Sequence, residues 1–113
     1  MKQSVTQRLQ KIIATWESLY GQMQAHHITR ESLMDDEFAQ WAVTTPLYNI
    51  GEQVYQLDRD WKAAYPDIPW NAVSGLRHRL VHDYDGVNWS IIVAVIFDEM
   101  PSFIDQIKAL LRT

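Results

Sequence analysis

Apolar residues recur at steps of three and four along most of the chain, and this spacing is typical of amphipathic α-helices. The first such series, near the N-terminus, is Val5, Leu9, Ile12, Ile13, Trp16, Leu19, Tyr20 and Met23. The chain has 113 residues, enough for one hydrophobic core but not for two. We therefore predict a single all-α domain over residues 1–113, an up-and-down bundle of four main helices plus a short helix.

Local signals predict where these helices begin and end. Thr29 has the side chain of an N-cap for a short helix at Arg30 to Met34. Pro69 fits the first turn of a later helix, and Gly86 fits a left-handed residue at its end. Asn88 is the predicted N-cap of the last helix. These positions divide the chain into segments of the length expected for a small bundle.

An acidic cluster, Asp35 to Glu37, stands directly before a new apolar series. Carboxylates at that place satisfy free N–H groups and favour the positive end of the helix dipole. A divalent metal site is the alternative, but no matching carboxylate or His set occurs elsewhere in the chain. His26 and His27 are also interpreted as part of a solvated turn, because no third metal ligand accompanies them. We expect no metal site.

The middle helix, predicted from Phe38 to about Ala64, carries two apolar stripes. The first stripe consists of Phe38, Trp41, Thr45, Tyr48, Glu52 and Tyr55. The second stripe consists of Leu47, Ile50, Val54, Leu57 and Trp61. Two stripes are typical of a central helix that is covered on both sides, and Pro46 is expected to kink or split it. Glu52 lies within the first stripe and needs a partner if buried, for which a Tyr or Arg is the simplest candidate.

The segment from Ile91 to Phe97 is apolar on every side and rich in β-branched residues, which also fits a buried strand. Helical spacing, however, continues to Ile107, and a lone strand would have no partner. We therefore predict a helix, part of which could lie in a subunit interface. The segment is too short to span a bilayer.

Charge and composition exclude several classes of function. The net charge is −4 at pH 7, whereas a general nucleic-acid binder needs a basic surface, so any such role must use a local patch. The chain has no Cys, which excludes disulfides, Cys-ligated zinc and thiol catalysis. The polar first ten residues show no signal peptide. We expect a cytoplasmic protein without a membrane association.

The densest polar cluster runs from Arg77 to Tyr84 and holds two Arg and two His residues within six positions. Arg presents a planar fork that matches phosphate oxygens, and His can take or give a proton near neutral pH. These groups suffice to cleave RNA without a metal. A neutral His removes the proton from a ribose 2′-OH, that oxygen attacks phosphorus, and Arg stabilises the developing charge.

Helical geometry leaves the arrangement of this cluster open. Arg77 and His82 are five residues apart, which separates them by roughly 140° on a regular helix. Either the helix ends near His82, or two copies of the chain assemble the site about a two-fold axis. The second arrangement would supply two His side chains, one as base and one as acid. A solvated helix face with local salt bridges is the simpler interpretation of the same residues.

Two segments resemble the HepT-like proteins of the HEPN superfamily. Residues 68–84 (IPWNAVSGLRHRLVHDY) resemble the central signature of this family, and Asn49 to Glu52 resembles a second block on the preceding helix. The resemblance implies an all-helical homodimer that is, where active, a metal-independent endoribonuclease with no cofactor. It assigns catalysis to Arg77 and His82, with His78 at the polar position of the motif. For Glu52, a supporting role at this site is the alternative to a purely structural hydrogen bond.

The resemblance further implies a type VII toxin–antitoxin pair. Its toxins are neutralised by a small nucleotidyltransferase that transfers AMP to a Tyr two residues after the motif His, here Tyr84. Family members commonly carry Asn where this chain has His78, so His78 is either a second proton carrier or an orienting residue. The alternative functions are a non-catalytic subunit that binds a nucleotide or a nucleotidyltransferase, and a plain helical interaction module.

Overall fold

The computed structural model of the chain describes residues 1–81 and 86–113, and these contain α-helices but no strand. The helices are α1 (Gln3–Ala25), α2 (Arg30–Asp35), α3 (Glu37–Gln56), α4 (Arg59–Ala63), α5 (Trp70–Val81), α6 (Trp89–Ala94) and α7 (Met100–Leu111). A π-helical turn, Val95–Glu99, joins α6 to α7. The all-α prediction is confirmed, with one short helix, α4, more than predicted.

Side-chain caps begin several helices where the sequence indicated them. Thr29 caps α2 through a reciprocal capping box with Ser32, and Asn88 accepts a hydrogen bond from the first turn of α6. Asp36 accepts from the first N–H groups of α3, so the acidic cluster serves as a helix start. The turn at His26 is also confirmed, and His27 takes a left-handed conformation with φ of 56°.

Helix α3 differs from its prediction in two places. It continues through Pro46, although an interior proline costs about 3 kcal/mol. Val43 and Leu47 on either side are fully buried, and burying each stabilises the helix by about 1.5–3 kcal/mol, which offsets that cost. The predicted continuity to about Ala64 is wrong, because Leu57 turns into the core in an extended conformation and Asp58 caps the separate helix α4.

The core lies between four long segments: α1, α3, α5 and the continuous stretch from α6 to α7. Helix α3 packs against α1 on one side and α5 on the other. The largest fully buried side chains include Leu9, Ile12, Met23, Leu47, Ile50, Leu76, Ile92, Ile96 and Phe103. None of the helices in the described residues combines the length and the hydropathy needed to cross a membrane.

The apolar segment before α7 is helical, as predicted, and is covered largely by its own chain. Ile92, Val93, Val95 and Ile96 are buried, whereas Ala94 is exposed. The π-helical turn shifts the register within this segment, because its hydrogen bonds span one residue more than those of an α-helix. Packing within one chain is therefore sufficient to bury this segment, and a subunit interface is not required there.

Candidate functional site

Helices α3 and α5 approach each other closely at Gly51, and this contact positions Arg77. A Cβ atom on Gly51 would lie 2.7 Å from the backbone nitrogen of Arg77 and 3.2 Å from the carbonyl oxygen of Val73. The first distance is shorter than real Cβ contacts and the second is tighter than most of them, so glycine permits the approach. The next residue on α3, Glu52, consequently lies within reach of the Arg77 side chain.

Arg77 is held by an acid and an aromatic ring. Its Nε donates a hydrogen bond of 2.6 Å to Oε2 of Glu52, and its guanidinium carbon lies 4.1 Å from the centre of the Tyr55 ring. The side chain of Gln56 donates to the other carboxylate oxygen of Glu52 at 2.9 Å. Glu52 therefore has the Arg partner that its place in an aromatic stripe predicted.

These contacts change the acidity of both charged groups. Hydrogen bonds from Gln56 and Arg77 lower the pKa of Glu52 below its ordinary value of 4.5. The hydrogen bond to the Glu52 carboxylate raises the pKa of Arg77. Both residues are therefore charged at neutral pH, and the ion pair is part of the folded protein under physiological conditions.

The outer edge of the Arg77 guanidinium has no hydrogen-bond partner within residues 1–81 and 86–113. Glu52 uses Nε, and no residue in the described parts of the chain accepts a hydrogen bond from the two Nη atoms. The Arg77 side chain is 26% exposed. A guanidinium with one edge anchored and the other open is suited to bind a phosphate in a fixed orientation.

The other predicted site residues lie on or beyond the end of α5. His78 is on the exposed side of this helix, one residue after Arg77. The described part of α5 ends at Val81, and His82 and Tyr84 lie outside the described residues. The approach of His82 to Arg77, within one chain or between two, therefore stays a prediction, as does the role of Tyr84.

The first stripe of α3 is exposed rather than covered, which corrects the prediction for this helix. Phe38 is 76% exposed and Trp41 is 66% exposed, Tyr48 and Glu52 are half-buried, and the second stripe is buried except for the partly buried Trp61. From Phe38 to Tyr55 the stripe extends for about 25 Å along the helix. We call this surface the aromatic face. It leads directly to the Arg77 cluster.

Sequence reasoning did not assign a site role to Tyr55 or Gly51. Tyr55 was placed in the same stripe as Glu52, one helical turn away, and that spacing is the only signal for its contact with Arg77. The role of Gly51 depends on where α5 crosses α3. A pattern within one segment of the sequence does not predict this crossing. Among the described residues, no group of His, Asp and Glu side chains could hold a metal ion.

Comparisons with known proteins agree with this architecture. The family model described as "Ribonuclease HepT-like" matches residues 5–110. "Putative RNase MJ0127" of Methanocaldococcus jannaschii is 33% identical over 85 residues, which cover 75% of this chain and 70% of that protein. "Putative RNase TTE0752" of Caldanaerobacter subterraneus subsp. tengcongensis is 33% identical over 85 residues, covering 75% and 76% respectively.

"Probable ribonuclease HepT" of Thermococcus cleftensis is 32% identical over 72 residues, which cover 64% of this chain and 66% of that protein. No solved structure matches the chain. The fold and the site thus define an all-helical protein of the HEPN type, with an anchored arginine on its surface. The chain belongs to the ribonuclease HepT-like family, as its two signature segments indicated.

Proposed function

We propose that this protein is a metal-independent endoribonuclease in which Arg77 and His82 act on the scissile phosphate. The observation that carries the proposal is the anchoring of Arg77: Glu52 and Tyr55 hold its guanidinium, and neither Nη atom has an acceptor among the described residues. Membership of a ribonuclease family supports RNA as the substrate. His82 follows α5 directly in the sequence, so it comes within a few residues of Arg77.

The chemistry requires only a base, an acid and a group that stabilises negative charge. Neutral His82 takes the proton of a ribose 2′-OH, and the freed oxygen attacks the adjacent phosphorus. The bond from phosphorus to the 5′-oxygen breaks, and a protonated His gives that oxygen its proton. The open edge of Arg77 donates to the phosphoryl oxygens, where charge develops in the transition state. The products are a 2′,3′-cyclic phosphate and a free 5′-OH.

A homodimer completes this site. Arg77 and His82 are roughly 140° apart on a straight helix, so one protomer alone presents them poorly to one phosphate. The aromatic face and Val81, which is 51% exposed, give a second copy of the chain an apolar surface beside Arg77. A two-fold axis there brings two Arg–His pairs to one cleft, and the second His82 serves as the acid.

Regulation follows from the same charges. In this proposal the protein is the cytoplasmic toxin of a type VII toxin–antitoxin pair, and a nucleotidyltransferase partner attaches AMP to Tyr84. The added phosphate would occupy the Arg77 fork and repel the backbone of an RNA substrate. The order of Arg77, His82 and Tyr84 along the chain supports this arrangement, since all three lie within eight residues.

The test is RNA cleavage by the purified protein in the presence of a metal chelator. Wild type should cleave single-stranded RNA and leave cyclic phosphate ends, and Arg77→Ala and His82→Ala should each lose the activity. His27→Ala is the matched control, because His27 lies in a turn remote in sequence from α5 and its loss should not affect cleavage. Intact RNA with all four proteins would favour a non-catalytic binding subunit.

The regulatory part has its own readout, the intact mass of the protein after co-expression with its neighbouring gene. We expect an increment of one or more AMP units that is absent from Tyr84→Phe. Cleavage activity should fall in proportion to the modified fraction. An unmodified mass with every candidate partner would contradict the proposed regulation and leave the cleavage test unaffected.

A further inference from the structure

A groove runs along the seam between α1 and α3. Its first half, beside the start of α3, has a volume of about 440 Å³, and its second half has a volume of about 510 Å³. Leu19, Gln22 and Ala42 line both halves, so the two are continuous. From His26 to Lys11 the groove follows α1 for about 22 Å. We call it the α1–α3 groove.

This groove lies on the flank of α3 that faces away from Arg77. Pro46 lines the groove, whereas Tyr48 belongs to the aromatic face, and residues two positions apart point roughly 160° apart on a helix. Phe38, at the start of α3, is the one residue of the aromatic face that borders the groove. A second copy of the chain seated beside Arg77 therefore does not fill it.

The floor of the groove is apolar, and the side chains along its second half are short. Leu19, Met23 and Val43 are buried core residues that form the floor beside the start of α3. Farther along, Ala14 and Ser18 of α1 leave room above the seam. A long channel of this kind between two helices is suited to a third helix, whose apolar side chains at steps of three and four enter it.

One end of the groove is acidic. Asp36 lines it, and the carboxylates from Asp35 to Glu37 are exposed and form no ion pair within the described residues. The chain has no Lys or Arg between Arg30 and Arg59, and Arg30 is already paired with Asp98. Three negative charges therefore stand beside the apolar floor without a cation from their own chain.

The opposite end of the groove is basic. Lys11 lines the second half, and one turn earlier Nη1 of Arg8 donates a hydrogen bond of 2.9 Å to Oε1 of Gln53 across the seam. Gln53 is neutral, and neither cation forms an ion pair in the parts of the chain that the structure describes. The groove thus carries charges of opposite sign at its two ends.

We propose that the α1–α3 groove binds one amphipathic helix of another protein, about 15 residues long to match the groove. The helix seats its apolar face on the floor, places Lys or Arg side chains over Asp35 to Glu37, and places Asp or Glu side chains beside Lys11. This interaction is independent of the proposed cleavage chemistry.

Charge complementarity selects this occupant over the others. An RNA strand and an anionic membrane surface would both be repelled by the three carboxylates at the acidic end. A second copy of the chain has no free helix to offer, because its described helices are built into their own bundle. A helix with bases at one end and acids at the other satisfies both ends of the groove at once.

The binding test uses a synthetic, fluorescein-labelled peptide of about 15 residues, with Leu at helical spacing, Glu in its first turn and Lys in its last turn. Fluorescence anisotropy gives its affinity for the full-length protein at about pH 8, where imidazole groups such as that of His26 carry no charge. A control peptide has the same Leu residues but Gln in place of every Glu and Lys. We expect the control peptide to bind about tenfold more weakly.

The position of the peptide is tested by filling the groove. Ala42 is exposed and lies where the two halves meet, so Ala42→Trp should block the groove without disturbing the core and weaken binding at least about tenfold. Ala94→Trp is the matched control, because Ala94 is an exposed helical alanine on α6. It should leave the affinity unchanged.

The acidic end is tested by removing two charges while keeping the cap of α3. Asp35→Asn/Glu37→Gln should weaken binding of the charged peptide about fivefold and leave binding of the control peptide unchanged. Asp60→Asn/Asp105→Asn removes the same net charge from other exposed positions and should have no effect on either peptide.

Three results would overturn the proposal. The first is no binding of the charged peptide up to about 1 mM, and the second is equal loss of affinity in both Trp variants or in both charge variants. The third is a change of oligomeric state in Ala42→Trp, measured by sedimentation equilibrium, since this would assign the groove to a second copy of the chain. RNA cleavage should be the same in Ala42→Trp and wild type, so the proposed function is tested separately.

Discussion

Replacing Gly51 by Ala should separate the positioning of Arg77 from the stability of the bundle. The new Cβ atom would lie 2.7 Å from the Arg77 nitrogen and 3.3 Å from Cβ of Leu76. Ordinary contact begins near 3.4 Å, so α5 must move away from α3 by several tenths of an ångström or more. Such overpacking typically costs about 1–3 kcal/mol of folding free energy.

Gly75→Ala is the matched control, because it makes the same chemical change on the facing helix without a clash. The nearest atom to its Cβ would be Nε of Arg79 at 4.0 Å. Both variants replace a helical glycine and gain up to about 1 kcal/mol of helix propensity. Their difference in unfolding free energy, measured by urea denaturation followed by circular dichroism, therefore reports the clash. We expect Gly51→Ala to be less stable than Gly75→Ala by about 1–3 kcal/mol.

RNA cleavage by the two variants supplies the second readout. A shift of about 1 Å at Arg77 is enough to reduce a catalytic rate by about 100-fold. Gly51→Ala should therefore lose much more activity than its stability explains when it is assayed where it is fully folded, whereas Gly75→Ala should retain wild-type activity. Equal stability and equal activity of the two variants would show that the approach of α5 to α3 does not position the arginine.

Three further changes test individual contacts. Glu52→Gln should make folding less sensitive to acid. The pKa of Glu52 is lowered in the folded protein, so its contribution to stability is present above the ordinary value of 4.5 and is lost as pH falls through the lowered pKa. Thermal melts between pH 5 and pH 3 should therefore show a smaller loss of stability in the variant than in wild type. Asn88→Ala should cost about 1 kcal/mol in urea denaturation, since it removes the acceptor for the N–H of Ile91, and Asn88→Asp should retain the cap. Trp70→Phe should cost about 1 kcal/mol in the same assay, because it removes the indole N–H that the carbonyls of Lys62 and Tyr65 both accept, while each carbonyl keeps a backbone donor; a fully stable variant would contradict this role.

Local patterns predicted the helices wherever one physical effect dominated. The segment from Ile91 to Phe97 was predicted correctly because its helical spacing continues into α7, where a strand could not follow it. The predicted break at Pro46 is wrong because burial of the neighbouring apolar side chains stabilises the helix by more than the missing N–H destabilises it. Asp58 has the side chain of an N-cap and caps α4. This residue was therefore a sequence signal that α3 ends before it.

The sequence predicted those parts of the candidate site in which a side chain needs a partner to be stable in the folded protein. A carboxylate within an aromatic stripe needs a cation, and this reasoning led from Glu52 to an Arg partner. Tyr55 has no such need, because its side chain is well solvated at the surface. Its place in the site follows from a contact with Arg77, 22 positions away, which depends on how α3 and α5 cross.

A single turn of α3 connects all parts of the site, and the geometry of a helix explains why. Successive residues point about 100° apart, so neighbours in the sequence address different surroundings. Gly51 faces the backbone of α5, Glu52 reaches the Arg77 side chain, Gln53 reaches Arg8 on α1, and Tyr55 meets solvent above Arg77. A rotation of α3 that improved one of these contacts would break another. The turn is therefore constrained from three directions at once, which holds Arg77 in a defined orientation although it lies on the surface.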